Sequence, residues 1–218
     1  MARTLRRQDG RCAARMPIRA LLLLCVAAGL TGGFSLRLAA APPADPDYDA
    51  LYSRGLTFAK FLETARANRD EWRERYSEAA VTADIVTRMR ALPSRRLILA
   101  VAEDWCADSV RTIPYVARIV DAAPGRLAMR IVNATVGRPA LDANLTPDGR
   151  AATPTVVVLT EHKDLVGSWV ERPSTAQAWF LEQQKSVMQQ PLHEQLMTWY
   201  ENDAGRTTVA EVAALLER

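Results

Sequence analysis

Apolar residues follow two rhythms along this chain. From Tyr48 to about Tyr76, Leu51, Phe58, Phe61, Leu62, Trp72 and Tyr76 recur among charged residues, which predicts one or two amphipathic helices. A further helix is expected over Thr82–Leu92, closed by Pro93. The period then changes. Arg96–Ala102, RLILAVA, is an unbroken apolar run of strand length, as expected for a strand covered on both faces. Cys106 to about Ala123 predicts a helix with Val110, Ile113, Val116, Ala117 and Val120 on one stripe, and Leu127–Val132 the next strand. Asn133–Arg150 is irregular, with one short helix expected at Ala140–Leu145. Thr155–Leu159, TVVVL, predicts a buried strand paired as a hairpin with Asp164–Val170 across the polar turn Glu161–Lys163. Helices are expected over Ser174–Gln190 and Leu192–Asp203, broken at Pro191. Gly205 then serves as a stop, and Thr208 with Glu211 has capping-box spacing before a final helix.

The 218 residues are 49% hydrophobic and 24% charged, enough to bury one core, which excludes a disordered chain and a Pro/Gly-rich fibre. The net charge of +3 conceals an asymmetry: positions 1–41 hold seven arginines against Asp9, a net of +6, which leaves the remainder at −3. A mildly acidic body without clustered cations gives no nucleic-acid partner, because phosphate binding depends on such clusters. The basic start leads into an uncharged stretch, Ala20–Leu36, followed by Ala39, Ala40, Ala41 and a Pro-bearing linker at 42–47. This is the layout of an export signal or an N-terminal membrane anchor over 1–41. Its 17 uncharged residues span about 25 Å at ~1.5 Å per helical residue, short of a hydrocarbon core of about 30 Å, which favours cleavage. A cut after Ala41 leaves Pro42 first, which keeps the anchor open. Either way the expected location is periplasmic or otherwise extracytoplasmic, with membrane contact only through an uncleaved segment and the folded body at 48–218.

Of Cys12, Cys25 and Cys106, only Cys106 lies in that body, so no internal disulfide is available to it. An unpaired cysteine in an oxidising compartment is either buried and inert or a thiol open to exchange. Its surroundings favour the second. Glu103-Asp104-Trp105-Cys106-Ala107-Asp108-Ser109 directly follows the apolar strand and opens a helix, Pro114 comes eight residues after the cysteine, and Thr153-Pro154 leads another apolar strand. These features resemble the thioredoxin superfamily. Within it, Trp-Cys-x-Asp is similar to a bacterial thioredoxin-like family with a single active-site cysteine. Gly149-Arg150, Gly167-x-Trp169, Arg172-Pro173, Trp199-Tyr200 and Gly205-Arg206 add to that likeness.

The resemblance implies an α/β thioredoxin-like fold: a central mixed sheet flanked by helices, here with added N-terminal and C-terminal helices. It also implies a cis bond before Pro154, with the Thr153 backbone beside the thiol as an edge for an extended peptide. Ser109 stands where thioredoxin has its second cysteine, and Ala100 where it has a buried acid. Both differences point away from dithiol chemistry.

From the residues themselves, a cysteine at a helix start faces unpaired backbone N–H groups and the positive end of the macrodipole, an effect of about 0.3–1 kcal/mol. Asp108 opposes a neighbouring thiolate by a similar amount. Ser109 offers a hydroxyl that donates to the sulfur but cannot attack a mixed disulfide. The expected function is therefore monothiol: thiol–disulfide exchange through Cys106, with protein or low-molecular-weight thiols and disulfides as partners. The expected site is Cys106, Ser109 and Asp108, with Trp105, Thr153, Pro154 and Arg150 on the substrate side. Arg150 and Arg172 either clasp an anionic ligand or pair with acids. His162 and His193 have no metal-ligand spacing, and no cofactor is expected. The alternative is a non-catalytic binding module that uses the same fold as a display surface.

Overall fold

The computed structural model describes residues 45–218. The basic start, Ala20–Leu36 and the beginning of the linker, and with them the export or anchor expectation, lie outside the described residues. At the linker's end the Asp47 carboxylate accepts the Ala50 N–H at 2.9 Å and starts the first helix.

The elements are α1 (Tyr48–Arg54), α2 (Phe58–Thr64), α3 (Arg69–Glu78), α4 (Ala83–Arg90), β1 (Arg96–Val101), α5 (Ala107–Ala122), β2 (Leu127–Val132), α6 (Arg138–Ala143), β3 (Thr155–Thr160), β4 (Leu165–Val170), α7 (Ser174–Gln183), α8 (Gln189–Asp203) and α9 (Arg206–Leu216). The sheet order is β2-β1-β3-β4. β1 runs parallel to β2 and antiparallel to β3, and β3 pairs antiparallel with β4. This is the expected mixed sheet flanked by helices. The unbroken apolar run of β1 has the cause anticipated for it, because both faces are covered. Ile98 and Ala100, with Val156 and Val158 of β3, join the core under α3, α4, α5 and α9. The alternate residues Leu97, Leu99 and Val101, with Val157 and Leu159, join the core shared with α1 and α6. The parallel β1–α5–β2 unit places the β1–α5 loop, which carries the cysteine, at the strand's C-terminal end.

Five local expectations are corrected. The Tyr48–Tyr76 region forms three helices, because Leu56 leaves the helical path to exchange two backbone hydrogen bonds of 2.8 Å with Ile131 of β2. Gly55 permits that approach, since a Cβ there would stand 2.6 Å from the Arg130 Cβ. The short helix starts two residues earlier than expected, at Arg138, because Pro139 is well suited to a first turn that needs no N–H donor. Pro191 does not break a helix. It sits in the first turn of α8, and the interruption falls at 184–188 instead. Helix α8 ends on Ala204, in the left-handed region at φ 49°, and Gly205, at φ 72° against the Tyr115 ring, is the N-cap of α9 rather than a simple stop. The Thr208–Glu211 capping box is not formed. Asp203 caps the Thr207 N–H, Thr208 is buried within α9, and Glu211 accepts from Trp169 Nε1 at 2.7 Å and from the Ser174 N–H at 3.0 Å.

Candidate functional site

The site is built on the five residues between β1 and α5. Two acids fix this loop from opposite sides. Glu103 Oε1 accepts the Ala134 N–H at 2.7 Å, beyond the end of β2. Asp104 Oδ2 accepts the Arg66 and Ala67 N–H groups at 2.7 and 3.1 Å, between α2 and α3. The Asp104 carbonyl accepts from Trp72 Nε1 at 3.0 Å and Asn68 Nδ2 at 3.2 Å. Trp72 is fully buried, so the loop is fastened to the core rather than laid over it. Satisfying an indole N–H is the usual requirement for burying a tryptophan, and here it also fixes the backbone two residues before the cysteine.

Cys106 is the N-cap of α5 and is partly exposed. Its carbonyl accepts the Val110 N–H at 3.0 Å, so the helix starts immediately after it. The thiol does not bond to the free N–H groups of the first turn. It donates instead to the Thr153 carbonyl at 3.3 Å, across the cleft from α5. The Thr153–Pro154 bond is cis. Cys106, Thr153 and Pro154 are thus brought together from positions 47 residues apart. Trp105, the residue before the cysteine, is 65% exposed. Ser109 is fully buried, and its hydroxyl has no hydrogen-bond partner among the described residues. The expected donation from Ser109 to the sulfur is not made here, because the thiol is turned toward Thr153.

The remaining expected residues belong to a separate arrangement. Asp108 accepts from Arg172 Nε and Nη2, both at 3.1 Å, and from the Tyr200 hydroxyl at 2.6 Å. Both oxygens of its carboxylate are thus occupied by donors from the β4–α7 junction and α8. Arg172 is nearly buried, lies over the Phe180 ring at 4.0 Å and reaches Glu171 at 3.1 Å. Burial works against its charge, but Asp108 and Glu171 more than offset that, so its pKa lies above the usual value. Burial and then the neighbouring Asp108 push the Tyr200 phenol well above its ordinary range, so the hydroxyl stays protonated as a donor. Arg150 is held by Asp148 at 2.6 Å and Glu171 at 2.9 Å. Neither arginine is an open anion clasp, since each guanidinium is matched by carboxylates of the chain itself. Sequence reasoning missed Glu103, Asp104, Glu171 and Tyr200. The first two adjoin the Trp-Cys pair, and Tyr200 is part of a noted Trp-Tyr pair. Apart from Arg172 beside Glu171, their partners lie 21 to 92 residues away. Among the described residues no group of His, Cys, Asp and Glu is arranged to hold a metal ion. No described helix is long and apolar enough to cross a membrane.

A mixed sheet whose first strand leads into an N-cap cysteine facing a cis-proline loop defines a thioredoxin-like protein. A family model described as Thioredoxin matches residues 55–189, and the chain belongs to that family. Among solved structures it is similar to a protein of unknown function from Pseudomonas aeruginosa, with 20% identity and a TM-score of 0.62, covering 79% of this chain and 98% of that one. It is also similar to an HIV epitope-scaffold, with 18% identity and a TM-score of 0.61 over the same shares. Both likenesses are of fold. No curated protein matches the chain.

Proposed function

We propose that this chain is an exported monothiol thioredoxin-like protein that exchanges disulfides through Cys106. The observation that carries this is a partly exposed Cys106 at the N-cap of α5, its sulfur 3.3 Å from the Thr153 carbonyl, with Ser109 and no cysteine at the next turn. In the proposed step the Cys106 thiolate attacks one sulfur of a partner disulfide. A Cys106–partner disulfide forms, the partner's other sulfur leaves as a thiolate, and Cys106 is oxidised as the partner bond is reduced. The thiol proton passes to solvent. Loss of that proton ends the donation to Thr153, so before the attack the thiolate is left to the positive N-terminal end of α5. Ser109 cannot displace the partner, so an external protein or low-molecular-weight thiol resolves the adduct. Trp105 and the Thr153–Pro154 edge offer the partner an exposed aromatic face and an extended backbone. Export rests on the uncharged Ala20–Leu36 stretch after the basic start.

The test is labelling with a maleimide across pH and incubation with oxidised glutathione, read by mass on the peptide carrying Cys106. The expected result is faster labelling than in the denatured chain and a glutathione adduct that persists until an external thiol is added. Labelling no faster than the denatured control, with no adduct, ends the proposal. Partner capture that persists in Cys106→Ser would favour the binding-module alternative.

A further inference from the structure

We infer that Arg172 and Tyr200 are positioning residues for Cys106: together they bind the Asp108 carboxylate, so the first turn of α5 presents no uncompensated negative charge beside the sulfur. This role presupposes the thiol chemistry proposed above.

Asp108 lies two residues after Cys106, in the first turn of α5. A carboxylate there suits the helix but repels a thiolate and any anionic reactant that approaches it. Both of its oxygens are engaged. Oδ1 accepts from Arg172 Nε and the Tyr200 hydroxyl, and Oδ2 accepts from Arg172 Nη2. The side chains of Arg172 and Asp108 are 8% and 13% exposed, so solvent does little of the screening and the guanidinium does most of it. Glu171 and Arg150 extend the row, with charges alternating from Asp108 through Arg172, Glu171 and Arg150 to Asp148. The other charged groups of the cysteine loop are answered differently. Glu103 is turned onto the Ala134 amide, and Asp104 onto the Arg66 and Ala67 amides. On the cis-proline side the sulfur meets the Thr153 carbonyl. Asp108 is thus the carboxylate of this turn whose charge is cancelled by a cation, and that cation arrives from the β4–α7 junction with α8 behind it. A buried ion pair gives little net stability over well-packed apolar residues. Its place beside a nucleophile is better accounted for by what it does to the local field.

The experiment compares alkylation of Cys106 by iodoacetate and iodoacetamide, which are similar in size and differ in charge. It uses the full chain at neutral pH and low salt, read by mass on the Cys106 peptide. Arg172→Gln should lower the iodoacetate-to-iodoacetamide rate ratio about two- to fivefold, the order of effect of one uncompensated charge in a partly solvated site. Asp108→Asn should raise the ratio, and the double variant should return it to near the wild-type value. Tyr200→Phe should give a smaller fall. High salt should narrow every difference. A purely structural role would change both rates together and leave the ratio alone. If Arg172→Gln does not fold, as judged by circular dichroism, the rise in Asp108→Asn and the fall in Tyr200→Phe still decide the matter. A reactive Cys106 with the same ratio in every folded variant overturns the positioning role only. A wild-type Cys106 that takes up neither reagent, while the denatured chain takes up both, overturns the thiol reading itself.

Discussion

The two sides of the sulfur are secured by different physics. Before Cys106, Glu103 and Asp104 place their carboxylates on backbone N–H groups of Ala134, Arg66 and Ala67. After it, Asp108 is held by a guanidinium and a phenol. An acid on backbone amides fixes a loop and keeps most of its charge, and either an acid or an amide side chain can accept those bonds. An acid against a buried arginine has its charge compensated by that partner, and removing the cation leaves a buried charge unanswered. The approach to the cysteine is therefore a geometric device, and the helix beyond it an electrostatic one.

The largest effect should come from breaking the second device. Arg172→Met leaves Asp108 buried without its cation while Glu171 keeps Arg150, and removing one partner of a buried pair costs about 3–5 kcal/mol. A urea titration should show that loss, and Asp108→Asn in the same chain should recover a good part of it. If the double variant is as unstable as the single one, the two residues are not coupled and the contrast fails.

The first device should give a smaller loss with a different pattern. Asp104→Ala removes the acceptor for two N–H groups, about 1–3 kcal/mol. Asp104→Asn retains an acceptor oxygen and should cost less than half as much. Equal losses for Ala and Asn would mean that the Asp104 charge, not its geometry, secures the loop.

Tyr200→Phe deletes one hydrogen bond while leaving the ion pair in place, so about 1 kcal/mol is expected. The folded phenol is raised above its ordinary value, by burial first and then by Asp108. Its contribution is therefore present below the unfolded value of 10.0 and is lost at higher pH, as the unfolded chain ionises more readily than the folded one. Stability measured above that pH should fall less steeply in Tyr200→Phe than in the wild type.

What the sequence disclosed and what it concealed follow the same division. The apolar run RLILAVA marked β1, since only a strand covered on both faces has no need of alternation, whereas Trp105-Cys106 and Thr153-Pro154, 47 residues apart, were joined by a family resemblance rather than by any local signal. Local signals served well where the partner was near in sequence or was the solvent. They failed where the partner was distant. Asp108 and Arg172 are 64 residues apart, so Asp108 read as an ordinary first-turn acid and Arg172 as a possible anion clasp. Thr208 and Glu211 carried the spacing of a capping box, but Glu211 had better donors in Trp169 and Ser174. Leu56 fell within a helical pattern until an open edge of β2 claimed its backbone.

The smallest effect tests the contrast on a single helix. α8 is fastened inside the protein by Tyr200 and on its outer side by Glu201, which pairs with Arg75 at 2.5 Å and faces Arg111 at 3.8 Å. Arg75 holds the Glu201 carboxyl below its usual value of 4.5. A lowered acid stabilises the fold above the unfolded value, and that contribution is lost as pH falls through the lower folded value. Glu201 is about half exposed, so solvent screening limits the gain to about 0.2–1 kcal/mol. The difference between wild type and Glu201→Gln should therefore be small at neutral pH, shrink in high salt, and vanish in acid once Glu201 is protonated in both states. The Tyr200→Phe difference should persist in salt, because its bond is buried. Equal sensitivity of the two to salt would mean that the inner fastening is as open to solvent as the outer one, and the buried cancellation of Asp108 would lose its physical basis.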